Sequence, residues 1–260
     1  MNFLARKDYL PVSALLFTTK MRIPSENQFF IGTAIWFLLT VFWGFAPSFY
    51  LSNLFENSGP LPIHLIVHGI VFSIWNLLYA VQVFLIRSKN FKLHRTLGIF
   101  GLFVMIAMVP TGIYPSIYKV YAGTTTLDAA GHNVFRLASG YCLFAFAFIY
   151  RKKGFYHKRL MLGCMVMLMS AAIFRISFDF NMQDSQVFNK GFQIFPVVML
   201  FLFDLVKYKK AVLVDLIPVV IVFSILFFAD YFWLSPMGEA FMGFLISIFV
   251  EPFTPTLAYL

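Results

Sequence analysis

Apolar residues dominate the chain in long, nearly uninterrupted runs, and polar residues cluster between them rather than alternating with them. Runs of this kind extend from Phe29 to Phe49, Leu61 to Ile86, Leu97 to Tyr118, His132 to Tyr150 and Leu160 to Phe178. Two more extend from Phe192 to Val206 and from Leu213 to Ala229. A helix that crosses a bilayer needs ~20 mostly apolar residues, because lipid offers the backbone no hydrogen-bond partner. The pattern predicts about seven transmembrane helices, the sixth short enough to be tilted or partly re-entrant. The apolar piece from Phe241 to Val250 is too short to span and is expected at the interface. The expected fold is all-α: a polytopic membrane helical bundle over 29–230, between an N-terminal segment, 1–28, and an interfacial C-terminal segment, 231–260.

Composition agrees. The chain is 60% hydrophobic, 20% aromatic and only 12% charged. A soluble domain has roughly twice that charged fraction, so a soluble enzyme and a disordered chain are excluded. The run from Leu10 to Phe17 is short, is broken by Pro11 and is not read as a signal peptide. Cys142 and Cys164 both lie in apolar runs, which excludes a disulfide framework and a zinc knuckle.

The net charge of +9 would suggest nucleic acid in a soluble protein. Here it has another source. With the N-terminus cytoplasmic, 16 of the 20 Lys and Arg residues fall in inside loops, and only Lys119, Arg136, Arg175 and Lys190 fall outside. That is the positive-inside bias of a membrane protein, so the expected partner is the lipid bilayer and not nucleic acid.

Two inner loops echo each other. Arg87-Ser-Lys-Asn-Phe-Lys-Leu-His94-Arg95 joins the second and third runs; Arg151-Lys-Lys-Gly-Phe-Tyr-His157-Lys158-Arg159 joins the fourth and fifth. Each hairpin also begins with histidine on its outer side, His64 and His68 in one and His132 in the other. Two parallel hairpins would set four histidine-bearing helices side by side with their histidines in two layers.

In the second run His68, Trp75 and Gln82 recur at intervals of seven, and His64 and Tyr79 share their side. Such a stripe faces other helices rather than lipid. His64 and His68, one turn apart, could approach one metal or heme, or form an interfacial hydrogen-bonded pair. His94 and His157 read either as ligands or as cationic edge residues reaching for lipid phosphates. Arg136 and Arg175 need anionic partners. Asp128, Asp179 and Asp184 are the expected ones, and a bound anion such as a heme propionate or lipid headgroup is the alternative.

The stretch from Phe42-Trp-Gly-Phe-Ala-Pro-Ser-Phe-Tyr50, through His68-Gly69 with Trp75, Gln82 and Leu93-His94-Arg95-Thr-Leu97-Gly98, to His157-Lys158-Arg159-Leu160-Met161, resembles a family of small bacterial multi-pass inner-membrane proteins. That resemblance implies location in the inner (cytoplasmic) membrane and no particular activity. In pattern, the histidines are similar to those of transmembrane diheme b-type cytochromes of the ascorbate-linked kind. Those pair the first histidine-bearing helix with the third and the second with the fourth. By that likeness an outer heme lies between His68 (or His64) and His132, and an inner heme between His94 and His157. His94 and His157 sit at the edge of their apolar runs, so depth favours the outer pair.

Three functional readings follow. The first is a heme b electron carrier with a redox partner. The second is a zinc-dependent membrane hydrolase, with His64, His68 and His132 on the metal and Asp128 as base. The third is a non-catalytic assembly, transport or lipid-binding protein.

Overall fold

The computed structural model describes residues 25–54 and 60–253. The run from Leu10 to Phe17 and the cations Arg6, Lys7, Lys20 and Arg22 lie outside the described residues. Within them every regular element is helical: α1 (Glu26–Phe45), α2 (Ile63–Arg87), α3 (Phe91–Tyr121), α4 (Leu127–Ile149), α5 (Gly154–Leu168), α6 (Ser170–Asp179), α7 (Gln186–Tyr208), α8 (Ile217–Trp233) and α9 (Pro236–Phe249). A π-helical turn, Ala46–Tyr50, extends α1, and a 3₁₀ turn, Leu213–Leu216, leads into α8. Six of these elements are long and apolar enough to cross a membrane, and α5 with α6 makes a seventh span if the bent pair counts as one. The protein is a multi-pass membrane protein.

Helix starts are fixed by short polar side chains. Ser25 and Gln28 form a reciprocal capping box on α1, with Ser25 N–H donating to Gln28 Oε1 at 2.7 Å. Asn90, Ser185 and Ser235 each accept a backbone N–H in the first turn of α3, α7 and α9. The Ser185 cap explains a difference from the sequence expectation. The sixth span begins well before Phe192 and is a continuous helix of 23 residues, neither short nor re-entrant. The irregular span is the fifth, which bends by 49° between α5 and α6 at Met169.

Successive helices alternate in direction, as contacts at the two ends of the bundle show. Glu26, Lys158 and Lys207, from α1, α5 and α7, meet at one end, here called the basic end. At the opposite end Trp43 of α1 donates to Asp179 of α6 at 2.8 Å, and His132 of α4 lies against Asp230 of α8. The main core joins α1 to α5, α7 and α8 around Phe37, Trp75, Met108, Phe144, Met165 and Leu200. A second core at the opposite end gathers Ile117, Val134, Trp233, Met242 and Leu245, which docks α9 onto α3 and α8. At 14 residues α9 is about 21 Å long, less than the hydrocarbon core.

Close approach depends on a few glycines. A Cβ on Gly44 of α1 would stand 2.5 Å from the carbonyl oxygen of Ala172 in α6, just past the bend. Gly131 lies under the Trp233 indole, and Gly112 under Phe72 and the Tyr141 hydroxyl. Gly101 packs against Leu78, whereas Gly98 has only Gln82 Nε2 nearby and borders a cavity. The bent span makes Gly44→Val costly: it should destabilise the protein by about 1–3 kcal/mol through overpacking. Gly32→Val, at a position with open space around it, is the control. Thermal unfolding in mild detergent should show a lower midpoint for the first variant alone.

Candidate functional site

A chamber of about 1050 Å³ opens at the basic end between α1, α2, α3, α4 and α5. Its wall is mostly apolar and aromatic, with Phe30, Trp75, Leu78, Phe144, Phe148 and Met161. Its rim carries Arg95, Arg151, Lys152 and Lys158, and among the described residues no carboxylate lines it. The polar stripe on α2 turns inward here, since Trp75, Tyr79 and Gln82 all face the chamber.

His94 and His157 also line it, and they meet. Their ring centres are 6.5 Å apart and the ring planes are nearly perpendicular, at 88°. Each imidazole stands in the first turn of its helix, which is how the echoing loops bring them together. His157 Nδ1–H donates to the carbonyl of Ala147, in the last turns of α4, at 2.8 Å. This bond fixes the ring and leaves the Nε2 lone pair available. Two buried polar atoms of the chamber residues, Trp75 Nε1 and Gln82 Oε1, have no hydrogen-bond partner. Buried polar groups are nearly always bonded, so these two are available to a ligand.

The histidines at the opposite end do not form a matching layer. His132 turns toward α8, where its Nε2 lies 2.5 Å from Asp230 Oδ1. His68 packs on Phe72 one turn along its own helix, and His64 packs edge-on to Tyr114 and near Tyr118 of α3. Among the described residues no group of three or more His, Cys, Asp or Glu side chains could hold a metal ion. His64, His68 and His132 therefore do not assemble as a zinc site, with or without Asp128.

Arg136 and Arg175 also depart from expectation, for neither pairs with Asp128, Asp179 or Asp184. Arg136 reaches only Asn133 Oδ1, at 3.5 Å. Arg175 bonds the Ala171 carbonyl and lies over the Phe45 ring at 4.4 Å. Asp179 is instead the acceptor for Trp43. The arginines are accommodated by helix carbonyl, amide and aromatic faces rather than by internal ion pairs.

The ion pairs that do form were not anticipated from the sequence. Arg159 is fully buried, and its Nε donates to Asp204 Oδ2 at 3.0 Å, with Nη2 donating to the same oxygen. Asp215 Oδ1 is 3.2 Å from the same Nε, and Glu26 Oε1 is 3.2 Å from Nη1. Lys158 holds Glu26 at 2.6 Å, and Lys207 lies 3.6 Å from its other oxygen. The guanidinium also stacks on the Phe155 ring at 3.7 Å. The available signal was two aspartates inside otherwise apolar runs, Asp204 and Asp215. Lys158 belongs to both the network and the chamber rim, so the two features adjoin.

A second cavity, also about 1050 Å³, opens between α4, α5 and α8 and is lined largely by apolar side chains such as Phe135, Phe146 and Phe228. Compared with protein-family models, curated proteins and solved structures, the chain matches none at a significant level. The network nonetheless makes a firm prediction. Arg159→Met leaves two buried carboxylates without their cation and should cost about 3–5 kcal/mol. Arg136→Met removes a cation that pairs with no carboxylate among the described residues and should cost clearly less. Chemical denaturation of both variants in the same detergent, followed by tryptophan fluorescence, checks the order.

Proposed function

We propose that the chamber binds one b-type heme, with His94 and His157 as axial ligands, and that the protein is an electron carrier of a bacterial inner membrane with its basic end on the cytoplasmic side. The observation that carries this reading is the facing imidazole pair on a cavity rimmed by cations. Two metal–imidazole bonds of about 2 Å set the ring centres about 6 Å apart, which the 6.5 Å separation matches. The cation-only rim suits a ligand with an apolar body and two carboxylates.

An iron held there by His94 and His157 would supply one-electron transfer. The remaining roles belong to the chain. His157 is oriented by its bond to the Ala147 carbonyl. Trp75, Phe144 and Phe148 exclude water from the interior. Arg95, Arg151 and Lys152 stand at the mouth, where carboxylate groups would meet the interface. Gln82 supplies a buried polar atom that lacks a protein partner.

A reduced-minus-oxidised absorption spectrum of protein made with ample heme supply should show a sharp b-type α-band at one heme per chain. His94→Ala and His157→Ala should each remove it, and His132→Ala should leave it intact. A flat spectrum from well-folded protein, or a band indifferent to His94 and His157, would overturn the assignment.

A further inference from the structure

The buried network contains a mismatch that ion pairing alone leaves unresolved. Asp204 and Asp215 have no side-chain exposure, and Arg159 is the cation that reaches both. The Arg159 bonds to Asp204 converge on Oδ2, so Asp204 Oδ1 has no hydrogen-bond partner. Neither oxygen of Asp215 has one. Both carboxyl groups lie against the same Arg159 Nε, Asp204 Oδ2 at 3.0 Å and Asp215 Oδ1 at 3.2 Å.

The remaining charged groups of the network are less buried, and Glu26 also reaches Arg159 Nη1 at 3.2 Å. Glu26 of α1 is held by Lys158 of α5 and Lys207 of α7, all three partly exposed at the interface, and Tyr208 Oη is 3.4 Å from it. Among the wholly buried side chains of the network one guanidinium thus meets two carboxylates, while Glu26 is set against Lys158 and Lys207 at the edge. Two buried carboxyls that share one cation do not both ionise readily. A metal cation is not the remedy, since no metal-sized acidic group is assembled among the described residues.

We propose that Asp204 and Asp215 together bind one proton, carried on Asp215 and donated to Asp204 Oδ1, and that this proton site is linked to the chamber through Arg159, Glu26 and Lys158. The proton relieves the repulsion between the two buried carboxylates and gives Asp204 Oδ1 and one Asp215 oxygen a partner. Linkage follows from the shared lysine. An anionic ligand beside Lys158 competes with Glu26 for its charge, and Glu26 then draws more on Arg159. The aspartate pair, left with less of the guanidinium, holds its proton more firmly. Binding is reciprocal, so a ligand with carboxylates binds more tightly as pH falls. The linkage, though not the proton site, rests on the heme reading of the chamber.

Infrared spectroscopy of the detergent-solubilised protein tests the proton site directly. At neutral pH the wild type should show the carbonyl stretch of a protonated carboxylic acid, shifted in deuterated water. Asp215→Asn and Asp204→Asn should each remove it, the first with little loss of stability because the amide can still donate to Asp204. Absence of the band from the wild type, which requires no variant to fold, would overturn the proposal, as would its survival in both variants. For the linkage, hemin affinity should rise from mildly alkaline to mildly acidic pH in the wild type and lose much of that slope in Asp215→Asn. Equal slopes would overturn the linkage. Failure of hemin to bind at all would strike the chamber reading, while the infrared band still decides the proton site.

Discussion

A fully buried guanidinium has to find its counter-charges inside the protein, and Arg159 finds them on three other helices. Asp204 comes from α7, Asp215 from the turn that opens α8, and Glu26 from the first turn of α1. Buried pairs of this kind add little net stability over an apolar core, yet removing one member is expensive. Their effect is to fix arrangement. With α5 held by α1, α7 and α8 on one side, its first turn presents His157 to the other side, where α2, α3 and α4 enclose the chamber.

The bend at Met169 and the glycine contacts serve the same arrangement. A straight α5–α6 helix would not meet α1 at both ends. The 49° turn brings Ala172 against Gly44, and Asp179 to within hydrogen-bonding distance of Trp43. The opposite end is held mainly by packing, with Trp233 seated on Gly131 and beside Phe135, and α9 closing over it. One end of the bundle is therefore organised by charge and the other by aromatic volume.

The spans were legible because lipid imposes a length and a composition that few other segments satisfy. Each predicted span corresponds to one helix except the fifth, which is the bent pair α5 and α6, and the inward face of Trp75, Tyr79 and Gln82 follows from their periodicity. The chamber was half legible. The echo of the two loops placed His94 and His157 at one level, although their position at the edges of apolar runs argued for the pair His68 and His132. Depth along a helix is readable from sequence, but rotation about its axis is not, and rotation sends His132 to Asp230 on α8. The same limit hid the charge network. Arg159 sits in a basic loop where most cations face water, and which of those cations turns inward depends on tertiary packing.

The network also sets an order on the making of the protein. A chain inserted from its N-terminus delivers Arg159 to the membrane before residues 204 and 215 have been made. Of its eventual carboxylate partners, Glu26 alone already exists at that moment. α1 is then the temporary escort of α5 during biogenesis, and the arrival of α7 and α8 completes the escort's task by supplying the permanent counter-charges. Residue 26, at the margin of the finished chamber, stands first in the history of its assembly.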